Sequence, residues 1–245
     1  MKPILLYPIG STEAIRYAVS QLHKEGTPII DHPAPEVTHL LLDIPAFAQD
    51  GTLRGGGTLQ HHLERLPPET VVVGGNLNHP GLAEHRTVDF LSDESYLAQN
   101  ASITAHCALK VAAPLLKATF ADIKVLVIGW GRIGKHLAKL LRALGASVTV
   151  AARSEKDQAM LHSLGYTAVD YSAPPPPCHL VFNTVPSVYE GSFSESCMKI
   201  ELASRPGLTG DGILSARGLP GIYAPESSGA LIAKTFLRLC KGESK

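Results

Sequence analysis

The sequence feature that most constrains the fold of this chain is a set of three glycines, spaced G-x-G-x-x-G, directly after an apolar segment. The apolar segment is Val125–Ile128, and the glycines are Gly129, Gly131 and Gly134. The residues that follow carry leucines at helical spacing, and Gly145 stands where a helix C-terminus favours a residue tolerant of positive φ. A second β-branched segment comes next. The order strand, tight turn, helix, strand predicts a dinucleotide-binding unit.

This glycine turn, residues 129–134, predicts a pyrophosphate site. Because the glycines lack side chains, backbone N–H groups of the turn and of the helix N-terminus can approach a pyrophosphate closely. We therefore expect every residue of the turn to contribute to cofactor binding: Gly129, Trp130, Gly131, Arg132, Ile133 and Gly134.

The end of the second strand indicates which dinucleotide binds. An NAD site usually carries Asp or Glu about 20 residues beyond the glycines, but here the segment before Glu155 ends in Arg153 and Ser154. A guanidinium and a hydroxyl suit a 2′-phosphate, because a planar guanidinium pairs bidentately with phosphate oxygens. We predict NADP(H) as the cofactor. The alternative is a solvated Arg153, with NAD bound loosely or the site empty.

Charge and cysteine usage argue against several other classes of protein. The 22 basic and 22 acidic side chains balance, which disfavours nucleic acid and anionic membranes as partners. The four cysteines show no C-x-x-C pattern, so we expect reduced thiols and no metal site. The first residues do not form a signal h-region, and no apolar run has the length of a membrane span. We expect a cytoplasmic protein.

Strand and helix patterns alternate on both sides of the glycine turn, which predicts an α/β protein of two lobes. We expect residues 1–102 to form a smaller, flavodoxin-like α/β lobe, with residues 227–245 packing back onto it as a helix. Its predicted helix is Ser11–Lys24. Its predicted strands are Ile4–Leu6, Thr27–Ile30, His39–Leu42, Thr70–Val73 and Val88–Phe90.

A helical pattern from about Ser92 to Ala113 connects this lobe to the second, residues 103–226. The second lobe has about six apolar segments, the number of strands in a complete Rossmann doubly wound parallel sheet. The six predicted strands are Lys124–Ile128, Ser147–Ala151, Tyr166–Val169, His179–Thr184, Met198–Leu202 and Gly212–Ala216.

Ligands of open α/β sheets bind beyond the carboxyl ends of the strands. The fourth strand of the second lobe ends in a segment that we expect to flank the nicotinamide half of the cofactor: Asn183, Thr184, Val185 and Pro186. Asn183 either orients the nicotinamide ribose or is a turn residue bonded to its own backbone.

Two further residues are candidates for catalysis. Arg205 follows the fifth strand, where it either binds a substrate carboxylate or polarises a carbonyl, or else bridges loop carbonyls. His106 lies on the predicted connecting helix and is a candidate acid/base because histidine titrates near neutrality. A lone histidine on a helix is more often packed or solvated.

Together these residues resemble the A subunits of dipicolinate synthases. The motifs that carry the resemblance lie at 129–134, 145–154, 183–186, 202–207 and 218–225. The resemblance implies oxidation of a dihydrodipicolinate-type dicarboxylate to dipicolinic acid for bacterial spores, with NAD(P) as acceptor and, as partner, a flavoprotein-like B subunit. The glycine turn and Arg205 are also similar to those of D-2-hydroxyacid dehydrogenases, whose matching arginine binds the substrate carboxylate.

The chain departs from this family's pattern at several places, among them a short N-terminal lobe and a helix reduced to residues 209–211. His106 stands where the family usually has Glu, Leu208 replaces the second glycine after Arg-Pro, and Glu226 replaces a lysine. We predict an NADP-dependent oxidoreductase that binds a small dicarboxylate and forms a homo-oligomer. A non-catalytic NADP(H)-binding subunit or redox sensor is the main alternative. A 2-hydroxyacid or imino-acid dehydrogenase is less favoured, because no acid-paired histidine follows the fifth strand.

Overall fold

The computed structural model describes residues 3–241, which divide into two compact units. The first comprises the described parts of Met1–Asn100 and Pro220–Lys245, and the second is Ala101–Leu219. Residues 1–2 and 242–245, which the predicted lobe boundaries include, lie outside the described residues. The predicted fold class, two α/β units with parallel sheets, is confirmed.

The first unit contains a four-stranded parallel sheet in the order β1-β2-β3-β4. Its strands are β1 (Leu6–Pro8), β2 (His39–Leu41), β3 (Val71–Gly74) and β4 (Thr87–Asp89). The predicted strand at Thr27–Ile30 is reduced to one parallel bridge between Ile29 and Leu6. With that bridge beyond β1, the order is the one found in flavodoxin-like sheets.

The second unit contains a six-stranded parallel sheet in the order β10-β9-β8-β5-β6-β7. The order reverses between β5 and β8, as in doubly wound dinucleotide-binding sheets. Each strand lies within one residue of its predicted ends: β5 (Lys124–Ile128), β6 (Ser147–Ala152), β7 (Thr167–Asp170), β8 (Leu180–Asn183), β9 (Met198–Glu201) and β10 (Ile213–Ser215).

Seven α-helices connect and cover these strands in the described residues. They are α1 (Glu13–Lys24), α2 (Leu59–Leu63), α3 (Glu94–Ala112), α4 (Arg132–Ala143), α5 (Glu155–Ser163), α6 (Leu219–Tyr223) and α7 (Pro225–Phe236), which continues as a π-helical turn, Leu237–Lys241. Short 3-10 turns lie at Pro80–Leu82, Phe90–Ser92, Ala113–Leu115 and Phe120–Asp122. Within residues 3–241, every helix is too short or too polar to cross a bilayer.

The C-terminal helix α7 packs against α1 inside the first unit. Gly229 permits this close approach, since a Cβ atom there would lie 2.5 Å from the Tyr17 Cβ. A hydrogen bond to Glu226 raises the pKa of the Tyr17 phenol. Glu226 also lies in the first turn of α7, where a carboxylate is favoured by the helix dipole. The acid that departs from the resembling family's pattern thus lies where α7 faces Tyr17 of α1.

Candidate functional site

The glycine turn lies at the point of the second sheet where the strand order reverses. Ile128 at the end of β5 pairs with Asn183 at the end of β8, so the loops that follow the two strands emerge side by side. The Thr184 hydroxyl joins them by donating to the Ile128 carbonyl oxygen at 2.8 Å. Crevices of this kind are where open α/β sheets bind ligands.

Two of the three glycines are required by close packing. Gly129 has a φ of +103°, and a Cβ atom there would lie 2.5 Å from the Val185 side chain. A Cβ atom on Gly134 would lie 2.1 Å from the Gly129 carbonyl oxygen. These contacts allow α4 to start directly against the end of β5.

Gly131 differs from the other two, because a Cβ atom there would meet nothing within 4 Å. It is the N-cap residue of α4, whose first turn presents N–H groups without intrahelical partners and the positive end of the helix dipole. The open space beside Gly131 is therefore next to backbone donors. A pyrophosphate fits this combination of bare backbone, open space and helix N-terminus.

Trp130 is half-buried and lies against the ring of Tyr166, with 5.6 Å between the ring centroids. The Lys135 ammonium lies 5.9 Å from the centroid of the Trp130 ring. Since Trp130 is the only tryptophan of the chain, its fluorescence reports directly on the glycine turn.

Arg153 is exposed and is held beside the crevice by two neighbours. Its guanidinium carbon lies 4.5 Å from the centre of the Tyr171 ring, and its Nη2 atom donates to the Ser187 hydroxyl. The Tyr171 hydroxyl in turn donates to the carbonyl oxygens of Ser187 and Val188, at 3.2 and 3.1 Å. Stacking on Tyr171 thus positions the guanidinium. The hydrogen bond to Ser187 uses only a minority of its five N–H donors.

Ser154 caps helix α5. Its hydroxyl accepts a hydrogen bond from the Asp157 backbone N–H at 3.1 Å and donates to the Asp157 carboxylate at 2.8 Å. This use of the side chain is typical of N-cap serines. The hydroxyl predicted to meet a 2′-phosphate is therefore engaged in capping.

Asn183 is fully buried, and its amide is used inside the protein. Its Oδ1 atom accepts from the Val185 N–H at 3.0 Å, and its Nδ2 atom donates to the Val185 carbonyl and to Glu201. The structure thus places this side chain beneath the loop of residues 184–186, as the turn alternative expected. Its contacts fix the backbone of that loop.

Glu201 is a residue of this region to which sequence reasoning assigned no role. Its carboxylate is 2% exposed and accepts hydrogen bonds from Asn183 Nδ2 and from the backbone N–H groups of Ala203, Gly207 and Leu208, at 2.8–3.0 Å. One side chain therefore ties the loop after β9 to the loop after β8. The signal available in the sequence was an acid among the apolar residues of a buried strand.

Arg205 lies in the loop that Glu201 holds. It is exposed, and no hydrogen bond or ion pair of its guanidinium is found within residues 3–241. Leu208, at the position where the resembling family has glycine, donates its N–H to Glu201 and buries its side chain in the apolar cluster beneath the loop. His106 is exposed on α3. No group of three or more metal-ligating side chains occurs in the described part of the chain.

Comparison with known proteins also indicates a dinucleotide-binding fold for the second unit. Residues 97–192 match the family model described as D-isomer specific 2-hydroxyacid dehydrogenase, NAD binding domain. The A subunit of dipicolinate synthase from Bacillus subtilis (strain 168) is 28% identical over 201 residues, which cover 74% of this chain and 68% of the relative.

Solved structures show the same fold. The crystal structure of the dipicolinate synthase A chain from Bacillus subtilis superposes with a TM-score of 0.81 at 23% identity, covering 98% of this chain and 96% of the other. The corresponding protein from Bacillus halodurans gives 0.76 at 22% identity, covering 97% and 98%. The resemblance predicted from the sequence is confirmed, and the second unit has a fold of the NAD(P)-binding, dehydrogenase type.

Proposed function

We propose that the chain is an NADP-dependent oxidoreductase that oxidises a dihydrodipicolinate-type dicarboxylate to dipicolinate. The relative at 28% identity is named as the A subunit of a dipicolinate synthase, and the fold agrees over nearly the whole chain. In the second unit, the glycine turn holds the pyrophosphate and Arg153 pairs with the 2′-phosphate. This assigns NADP, with NAD as the weaker ligand.

Held by the glycine turn and Arg153, oxidised NADP would supply the hydride acceptor for the dihydro ring, whose proton would pass to water as the ring becomes aromatic. The chain's own residues bind and orient the substrate and the cofactor. Arg205 binds a substrate carboxylate, Glu201 holds the Arg205 loop, and Asn183 fixes the adjoining loop of residues 184–186. Asn183 is thereby a positioning residue, and contact with the nicotinamide half falls to Thr184, Val185 and Pro186.

The observation that carries the proposal is the exposed guanidinium of Arg205. It makes no hydrogen bond or ion pair within the described residues. The loop that carries it is nevertheless fixed in place, because the buried Glu201 carboxylate binds its backbone. This loop follows β9, the strand next to β8 at the carboxyl edge that holds the glycine turn. A fixed cation at that edge suits a dicarboxylate, since guanidinium–carboxylate pairs give orientation as well as binding energy.

The test uses the full-length chain, oxidised NADP and freshly prepared dihydrodipicolinate, with formation of reduced nicotinamide as the readout. We expect turnover, and we expect Arg205→Ala to lower kcat/KM by about 100-fold, the effect of losing one charged hydrogen-bonded pair. Lys139→Ala, an exposed cation of α4, is the matched control and should retain the wild-type rate. Unchanged turnover in Arg205→Ala would remove Arg205 from the site.

A non-catalytic NADP(H)-binding subunit or redox sensor is the second candidate. It is favoured by Glu226, which binds Tyr17 at the position where the resembling family has lysine, and by the exposed His106 on α3. NADPH binding without turnover of any dicarboxylate would support this candidate over the enzyme.

The proposed enzyme also implies partners. We propose a flavoprotein-like B subunit as partner, because the name of the relative designates one component of a synthase. We also propose that the chain itself forms a homo-oligomer. The physiological setting would be dipicolinate supply to bacterial spores. Light scattering of the purified chain, alone and mixed with such a B subunit, tests both assemblies: a monomer in each case would contradict them.

A further inference from the structure

Two cysteines meet at the edge of the second sheet opposite the glycine turn. Cys178 precedes β8 and Cys197 precedes β9, and these two strands pair in register from Leu180 and Met198. Their Sγ atoms lie 3.5 Å apart, and both thiols are free. We propose that Cys178 and Cys197 are an oxidation site that forms a reversible disulfide bond with a peroxide as oxidant. The inference is independent of the proposed function.

The backbone places the two sulfurs close to bonding geometry. A disulfide bond needs its sulfurs about 2.05 Å apart, so the pair must close by roughly 1.5 Å. The ladder between β8 and β9 holds both backbones, with the Met198 N–H donating to the His179 carbonyl oxygen at 2.9 Å. The required movement therefore falls on the two side chains.

A small oxidant can reach the pair. Both cysteines line an open cavity of about 490 Å³, whose other walls come from the proline segment before β8 and the serine-rich segment before β9. Cys178 is half-buried, and Cys197 is 4% exposed. A peroxide is small enough to enter this cavity and reach the pair.

Electrostatics favours one thiolate in the pair. The hydrogen bond with Cys178 lowers the pKa of Cys197, and Lys199 adds to this effect against the cost of burial. The same bond raises the pKa of Cys178. The other two cysteines differ, because burial raises the pKa of Cys107 and raises that of Cys240 to about 12. Since the thiolate is the nucleophile, the pair should react first.

The reaction balances with one peroxide. The Cys197 thiolate attacks a peroxide oxygen, so that an S–O bond forms, the O–O bond breaks and hydroxide leaves. The Cys178 sulfur then attacks the sulfenic sulfur of Cys197. The S–S bond forms, the S–O bond breaks, and the leaving hydroxide takes up the Cys178 proton as water. Two thiols are oxidised and hydrogen peroxide is reduced to water.

The bond would close a loop that contains part of the candidate cofactor site. The segment between the cysteines includes Asn183 and Ser187, the partner of Arg153. Closing a loop of this length restricts the unfolded chain, so the oxidised protein should melt about 5 °C higher than the reduced one.

The experiment treats the full-length reduced chain with hydrogen peroxide, then counts thiols under denaturing conditions and maps peptides by mass spectrometry. Of the four cysteines of the chain, two should be lost, joined as Cys178–Cys197, and dithiothreitol should restore them. Cys178→Ser, at the half-buried position, should form no such disulfide and show no rise in Tm on oxidation. Cys240→Ser, the matched control, should still lose two thiols.

Three results would overturn the inference. They are retention of all four thiols at a peroxide excess that oxidises free cysteine, a disulfide that joins any other pair or two molecules, and oxidation of Cys197 to sulfinic acid without a bond to Cys178. Because peptide mapping of the wild-type protein alone distinguishes them, the test does not depend on the folding of a variant.

Discussion

Glu201 illustrates how one buried side chain fixes a whole loop, here the one that carries Arg205. Its buried carboxylate accepts backbone N–H groups from three residues of the loop that carries Arg205, and also the Asn183 amide. A carboxylate accepts on both oxygens at once, which no other side chain of this size does. The position of Arg205 therefore depends on Glu201, a buried residue that bonds the backbone of the loop.

Glu201→Gln tests this role at the residue scale. The substitution keeps the shape but turns an NH2 donor towards backbone donors, so we expect a loss of about 2 kcal/mol in the free energy of unfolding. Urea denaturation measures it. Glu190→Gln, at an exposed position, should change stability by less than about 0.5 kcal/mol. Equal stability of the two variants would show that Glu201 does not organise the loop.

We propose that Arg153 decides between NADP and NAD, because its guanidinium would pair with the 2′-phosphate. We expect Arg153→Ala to weaken NADPH binding by about 10- to 100-fold, since a charged hydrogen bond contributes about 1.5–3 kcal/mol. NADH binding should change by less than about threefold, because NADH lacks the 2′-phosphate. Quenching of Trp130 fluorescence measures both affinities, with Lys139→Ala as control. An equal loss for both cofactors would contradict the assignment.

At the scale of elements, β5, the glycine turn and α4 form one strand–turn–helix unit. Its glycines serve two purposes in this unit: close packing and open space. Gly134 is needed because α4 packs against the Gly129 carbonyl, whereas Gly131 borders open space. In the sequence motif both positions are simply glycine. Only the tertiary contacts separate Gly134, which packs against backbone, from Gly131, which borders open space.

A pair of alanine variants tests this separation. Gly134→Ala brings a Cβ atom to 2.1 Å from a backbone oxygen, so we expect a loss of stability of about 2–3 kcal/mol or failure to fold. Gly131→Ala should cost less than about 1 kcal/mol yet weaken NADPH binding by at least about 10-fold, because its methyl group occupies the space beside the helix N-terminus. Thermal unfolding and Trp130 fluorescence give the two readouts. Undiminished NADPH binding by Gly131→Ala would place the pyrophosphate elsewhere.

Strand positions in the second unit followed closely from apolar, β-branched runs, because buried parallel strands are apolar on both faces. The segment Thr27–Ile30 has similar residues but makes a single bridge at Ile29. It lies at the edge of its sheet, where pairing on one side alone does not require a long ladder. The edge strands β7 and β10 of the second sheet were nevertheless predicted to within one residue, so the loss of a ladder is particular to this segment.

At the scale of the whole molecule, two half-buried histidines, His39 and His62, link stability to pH. Burial lowers the pKa of His39, and Arg86 lowers it further; burial also lowers the pKa of His62. The unfolded chain takes up these protons near pH 6.5, the ordinary value for histidine, while the folded chain resists them. The unfolded state then binds more protons, so stability falls as the pH drops below about 6.5.

We expect urea denaturation to give a lower free energy of unfolding at about pH 5.5 than at about pH 7.5. His39→Asn keeps a polar group next to the Thr38 hydroxyl but removes the titration, so its loss between the two pH values should be smaller. His23→Asn, an exposed histidine of α1, should show the wild-type loss. The same pH dependence in all three proteins would contradict the role of His39.

The sequence by itself determined the two α/β units, the strands of the second sheet and the position of the glycine turn. These features depend on local patterns of apolar residues and on glycines whose spacing is short along the chain. Tertiary structure alone decided which polar groups the folded chain uses internally. The Asn183 amide and Glu201 are bonded to each other, while Arg153 stacks on Tyr171 and Arg205 is left exposed. Such pairings join residues far apart along the chain, so no local pattern records them, and they form only once the sheet brings the strand ends together.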